Sequence, residues 1–274
     1  MSSNIWTQCA GASRRLPLHL SPWRVVEAQH LVSTRKLVDS DDEQVLLEEL
    51  IDSVKPADIT RGRIHYLLFT PFRYPPLPHG SRFGTVHERG VWYGALEVRT
   101  AFAEVAYYRL LFLAGTDASI GTISTALTLF SAGVRTKHGI DLTQPPFEAY
   151  RGTISSKTKY EASQALGAAM RADQVEAAIF SSARDAEGGR CIAVFAAVVF
   201  GRSRPRSFAT WHCAASTERV DFSQSDYFVR QRFSFDREQF LVKGALPSPA
   251  VGGQIASLQY VEQQGNDRDS HGGR

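Results

Sequence analysis

The longest apolar run of the chain, CIAVFAAVVF at residues 191–200, is half the length of a bilayer span. It is also too continuous for a strand with one solvated face. With VEAAIFSSAR at 175–184 it reads as a pair of buried strands. Around this pair the pattern is mixed. RIHYLLFT at 63–70, GVWYGAL at 90–96 and ASIGTISTALTLFSAGV at 118–134 are strand-like, and YFVRQRFSFDREQFLV at 227–242 can add an edge strand. Helices are predicted over SDDEQVLLEELIDSVKP at 40–56, where Ser40 and Glu43 form a capping box. Two more are predicted: from an N-cap at Thr100 to about Leu113 with Gly115 ending it, and within SSKTKYEASQALGAAMRADQ at 155–174. Strands and helices mix without regular βαβ alternation, which predicts an α+β or irregular α/β fold with a mixed central sheet and flanking helices.

Residues 1–20 read as polar and irregular, and GNDRDSHGGR at 265–274, with no hydrophobic residue, as a disordered tail. The expected division is an N-terminal extension at 1–59 with one amphipathic helix, a main domain at 60–215, a C-terminal extension packed on it at 216–264, and the tail. A hydrophobic share of 43% and a charged share of 22% are those of a soluble globular chain. The net charge of +3 is too small to argue for nucleic acid, and the cluster GRSRPR at 201–206 reads as a solvated loop. Cys9, Cys191 and Cys213 form no CxxC pair, the histidines lack zinc-ligand spacing, and no secretory signal is evident. No metal, no membrane and a cytoplasmic protein with reduced thiols are expected.

The chemistry-bearing residues begin with Glu104, in the apolar helix. Ala101, Glu104, Val105, Tyr108 and Phe112 fall on one side of it. Either Glu104 sits at the helix edge paired with Arg109 or another surface cation, or it faces a cleft where it stabilises a developing cation. Arg82 lies in the glycine-flanked turn HGSRFG, where a guanidinium suits an anion. Tyr93 is either a half-buried strand tyrosine or a ring and hydroxyl offered to a nucleotide. FSSAR at 180–184 is, by composition, a strand leaving the core. No GxGxxG follows a strand, which disfavours a dinucleotide-binding hydride enzyme.

The order Arg82, Tyr93, Glu104, Ser182, within SRFG, GVWYGA, RTAFAEVAYYR and SSARDAEGGRCIAVF, resembles the RES domain family over roughly residues 60–200. GIDLTQPPF and SSKTKYEASQALGAAMR fit its middle section. The chain departs from compact members through its N-terminal extension and the segment beyond about residue 201. The resemblance implies a fold similar to ADP-ribosyltransferase toxins. It implies the toxin of a toxin–antitoxin pair, whose partner is an Xre-type helix-turn-helix antitoxin that blocks the site. The implied activity is NAD⁺ degradation by cleavage of the ribose–nicotinamide bond, by hydrolysis or by phosphorolysis with inorganic phosphate as co-substrate. NAD⁺ is then a substrate, and no cofactor is implied. Carried over, Arg82, Tyr93, Glu104 and Ser182 are the site residues, with Arg73 and Arg184 as further NAD⁺-binding candidates and Ser182 as a hydrogen-bond donor to phosphate or carboxamide. The alternatives are a mono-ADP-ribosyltransferase acting on a protein, and a non-catalytic interaction or nucleic-acid-binding module using GRSRPR.

Overall fold

The computed structural model of the chain describes residues 4–28, 43, 46, 64–73, 80–116, 121–201, 204–224 and 231–248. In chain order its main elements are α1 (Ile5–Gln8), β1 (Leu16–Leu20), β2 (Trp23–Glu27), α2 (Tyr66–Arg73), β3 (Trp92–Ala95), α3 (Val98–Ala114), β4 (Ile123–Ser131) and β5 (Val134–Asp141). There follow α4 (Arg151–Ile154), α5 (Glu161–Ala172), β6 (Ala177–Ser181), β7 (Arg190–Val194), β8 (Arg206–Ala215), β9 (Arg219–Gln224) and β10 (Arg232–Asp236). The strands form one 10-stranded sheet in the order β1-β5-β6-β7-β3-β2-β4-β8-β9-β10. Within it β5 and β6 run parallel, and the other neighbours are antiparallel. The fold is α+β.

The central strands are buried on both faces because their side chains alternate. Ala178, Phe180, Cys191 and Ala193 enter the core under α5, while Ala177, Ile179, Ile192 and Val194 enter the core on the opposite face with Trp92 and Phe200. A third core joins α3 to β8, β9 and β10 through Phe102, Tyr107, Leu110, Trp211, Phe222 and Phe235.

The sheet is nearly split in the middle. β2 pairs with β4 over Trp23–Glu27, but with β3 it shares the single pair Trp23↔Ala95. At this seam the backbones come close. A Cβ on Gly94 would lie 3.0 Å from the Trp23 carbonyl oxygen and 2.6 Å from the Trp92 ring, so glycine permits the approach.

Several sequence expectations change. RIHYLLFT is not a strand. Its residues from Tyr66 on enter α2, whose Leu68 is fully buried and whose Leu67 and Phe72 lie against Trp92, Val199 and Phe200. The packing of one helical face overrides the strand-like composition. Residues 5–20 are not irregular: they hold α1, a 3₁₀ turn at Gly11–Arg14 and β1. The N-cap of α3 is Glu97, not Thr100. Thr100 is fully buried, and its hydroxyl donates to Asp185 at 2.7 Å, tying the start of α3 to the loop after β6. The strand expected through Phe200 ends at Val194, and Ala197–Phe200 form a 3₁₀ turn. β10 is the expected edge strand. The helix expected over 40–56 lies outside the described residues except for Glu43 and Leu46, both helical, and the tail at 265–274 lies wholly outside them. So does part of GRSRPR.

Candidate active site

Between the two halves of the sheet, with α3 along one side, lies a cavity of about 280 Å³. β2 contributes Trp23, Arg24 and Val25, and β3 contributes Tyr93, Gly94 and Ala95. α3 supplies Ala101, Glu104, Val105 and Tyr108, the turn at Ser81–Gly84 supplies Ser81 and Arg82, and Tyr160, Phe180 and Cys191 complete the wall.

Glu104 does not pair with Arg109, which instead reaches Glu27 at 2.5 Å. Its carboxylate faces the cavity, and among the described residues no cation lies within ion-pair distance of it. Its Oε1 accepts from the Ser182 hydroxyl at 2.6 Å and from the Cys191 thiol at 3.7 Å. Ser182 is buried, and its Oγ accepts from the backbone N–H groups of Arg184 at 3.1 Å and Asp185 at 3.0 Å. With both lone pairs so engaged, its proton is directed to Glu104. Ser182 therefore stands behind the carboxylate and outside the cavity lining. That is a different place from the one expected for a donor to phosphate or carboxamide.

Arg82 is 7% exposed, with Nη1 donating to the carbonyls of Ile154 at 3.1 Å and Ser156 at 2.9 Å. Its guanidinium carbon sits 4.8 Å from the centre of the Tyr160 ring. The turn that carries it closes through Ser81 N–H to Gly84 C=O at 2.7 Å. Helix α5 presses against this turn, and a Cβ on Gly167 would come within 2.2 Å of the Phe83 carbonyl oxygen. This close approach explains a glycine inside a helix, where it costs about 1 kcal/mol against alanine.

Tyr93 lines the cavity with its ring, while its hydroxyl accepts from Phe83 N–H at 3.0 Å and shares a hydrogen bond with Ser81 Oγ at 2.9 Å. It clamps the Arg82 turn. Burial pushes its phenol up to about 12, and the bonds to Ser81 and Phe83 only partly oppose the shift.

Two expected arginines are elsewhere. Arg73 ends α2, outside the cavity lining, because the segment before it folds as a helix on the other core. Arg184 is 3% exposed with its guanidinium carbon 3.5 Å from the centre of the Tyr107 ring, and it bonds the Lys157 carbonyl at 3.4 Å, also outside the lining. Arg24 of β2 also borders the cavity, but its side chain leaves the strand on the face opposite Trp23 and Val25, toward Trp92 and away from Glu104. Its guanidinium lies 5.3 Å from the Trp92 ring centre, and Nη1 makes one long contact of 3.5 Å to the Tyr93 carbonyl. No described carboxylate lies within ion-pair distance of it. Burial lowers its pKa to about 10, still cationic at neutral pH.

The site thus joins a carboxylate without a described cationic partner, the Arg82 guanidinium and an aromatic wall in one cleft. Among the described residues, no group of three His, Cys, Asp or Glu side chains could hold a metal ion, and no helix is long and apolar enough to cross a membrane. The model of the RES domain matches residues 55–218, more than half of the sequence. The chain belongs to the RES domain family. β2, with Trp23 and Arg24, lies before the segment matched to that family. A solved structure similar to this RES protein is the crystal structure of the M. tuberculosis MbcT-MbcA toxin-antitoxin complex, at 14% identity and a TM-score of 0.44, covering 77% of this chain and 91% of that chain. No curated protein matches the chain.

Proposed function

We propose that this RES protein is a toxin that cleaves the ribose–nicotinamide bond of NAD⁺. The observation that carries the reading is the Glu104 carboxylate, held at the cavity wall by a hydroxyl and a thiol with no described cation beside it. Nicotinamide leaves as a neutral molecule, so positive charge develops on the ribose in an oxocarbenium-like transition state. A carboxylate ~4 Å from that charge is worth about 4 kcal/mol at an effective dielectric near 20. If half of this is specific to the transition state, it gives roughly 30-fold in rate. Because no described cation neutralises Glu104, that field remains available to the substrate.

Arg82 is the cation for the pyrophosphate. Its guanidinium is anchored through Nη1 and borders the cavity. Trp23, Tyr93, Tyr160 and Phe180 offer flat faces to the nicotinamide ring. Ser182 orients Glu104 and is not the nucleophile, since its Oγ lone pairs accept two backbone N–H groups and it lies outside the cavity lining. Water as acceptor yields ADP-ribose, nicotinamide and a proton; hydrogen phosphate yields ADP-ribose 1″-phosphate, nicotinamide and a proton. An Xre-type helix-turn-helix antitoxin that covers the cleft is the partner we propose, and the cytoplasm the compartment.

Incubation with adenine-labelled NAD⁺, with and without phosphate, tests the reading. Free ADP-ribose or its 1″-phosphate is expected, and the phosphate dependence names the acceptor. Label retained on protein would make the chain a mono-ADP-ribosyltransferase. Intact NAD⁺ with folded protein would remove the enzymatic reading and leave a non-catalytic module.

A further inference from the structure

Two donors converge on one oxygen of Glu104, and one of them, Cys191, is not among the site residues that the family resemblance implies. Cys191 is 3% exposed and lies on β7, locked between Ala95 of β3 and Phe180 of β6. Its side chain points to the cavity, and Sγ stands 3.7 Å from Glu104 Oε1. Ser182 Oγ already accepts two backbone N–H groups and gives its proton to the same Oε1. No described residue donates to Oε2.

We propose that Cys191 is a positioning residue for Glu104: its thiol donates the second hydrogen bond to Oε1, fixes the rotation of the carboxylate together with Ser182, and leaves Oε2 for the substrate. A carboxylate on a long side chain has several rotamers, and one donor fixes a point but not a plane. A second donor from a different element removes the remaining rotation. The role requires the thiol to keep its proton. Burial first, and the Glu104 charge second, push the Cys191 thiol well above its usual range, while the Ser182 contact and the more distant Arg82 only partly oppose this. The same features make the sulfur a poor nucleophile, so a covalent role is disfavoured.

The inference rests on the NAD⁺-cleaving reading of the site, so its test has one arm that needs NAD⁺ and one that does not. In the first, Cys191→Ala lowers kcat about 2- to 10-fold, the range for one neutral hydrogen bond, with KM unchanged within about 2-fold. Cys191→Ser, which keeps a donor, recovers most of the loss. Cys213→Ala removes the same sulfur from the core of α3 and β8, away from the site, and controls for lost volume. It leaves kcat unchanged. In the second arm, alkylation of Cys191 by iodoacetamide is followed against pH by peptide mass spectrometry. The groups facing the thiol are Glu104 from α3, Ser182 from the loop after β6 and Arg82 from its turn. Glu104→Gln moves the onset of Cys191 alkylation to lower pH, because the carboxylate charge is gone from beside the thiol.

An unchanged kcat in Cys191→Ala, a Cys191→Ser variant no better than Cys191→Ala, or the same loss in Cys213→Ala would overturn the positioning role. An unmoved alkylation onset in Glu104→Gln would overturn the pairing itself. A wild-type protein that leaves NAD⁺ intact would sink the functional reading, and the alkylation arm would still decide whether thiol and carboxylate are paired.

Discussion

The two sides of α3 meet different worlds. On one side Phe102, Ala103, Ala106, Tyr107 and Leu110 are at most 1% exposed, and Phe102 lies 4.4 Å from Trp211 and 4.7 Å from Phe222 between ring centres. On the other side Ala101, Glu104, Val105 and Tyr108 border an open cavity. The filled side carries stability, and in the proposed function the unfilled side carries the chemistry. A helix used on both sides cannot have a clean polar face, which is why one carboxylate in an apolar run stands out. Substitutions on the two sides should therefore separate stability from turnover.

The largest effect belongs to the filled side. Phe102→Ala should lower unfolding free energy by about 3–5 kcal/mol, as for a buried aromatic that leaves a cavity. Chemical denaturation measures it. A loss near zero would mean that α3 is not anchored by this core.

Ser182→Ala comes next, on the site side. Deleting the donor behind Glu104 should cost turnover about 1–3 kcal/mol, roughly 5- to 150-fold, as for a hydrogen bond to a charged group. The cost should appear in kcat more than in KM. A covalent adduct trapped on Ser182 would instead make it a nucleophile.

The wall opposite α3 responds to alkali. Tyr93 keeps its proton to about 12 when folded, against the usual 10. Unfolded chains therefore release that proton first, so its contribution to stability is whole below pH 10 and fades between pH 10 and 12. Tyr93→Phe should be less stable than wild type at pH 9, having lost the bonds to Ser81 and Phe83. It should lose less than wild type between pH 9 and pH 11. Urea midpoints at the two pH values report this, and parallel losses would contradict it.

The smallest effect is at the cleft rim. Tyr108 is 56% exposed, so Tyr108→Ala should change stability by no more than about 0.5 kcal/mol, readable in the same denaturation assay.

Legibility from sequence followed the range of the forces involved. The α+β class, α3 with its end at Gly115, α5, and the buried pair β6 and β7 were all legible because periodicity and punctuation are local. The strand reading of RIHYLLFT failed because Leu67, Leu68 and Phe72 are positioned by a core built from distant segments. Within the site, Arg82, Tyr93 and Glu104 were found, and all three border the cavity. Trp23 and Val25 reach the cavity only because β2 pairs beside β3, a register no local pattern encodes. Arg73 and Arg184 looked suited to an anion, yet one ends α2 and the other stacks on Tyr107. Phe112 was assigned to the same side as Glu104, and at 43% exposed it lies beyond the cavity lining.

Glu104 itself offers the most direct measurement, NAD⁺ turnover and melting temperature on one preparation of Glu104→Gln. Glutamine keeps the size and most of the hydrogen bonding and removes the charge. Turnover should fall at least ~10-fold, as a transition-state charge interaction of a few kcal/mol requires. NAD⁺ affinity should change little, because in the proposed function Arg82 holds the pyrophosphate. The melting temperature should hold or rise, since a charge without a cationic partner leaves a partly buried site. A variant that is destabilised but fully active would contradict the account.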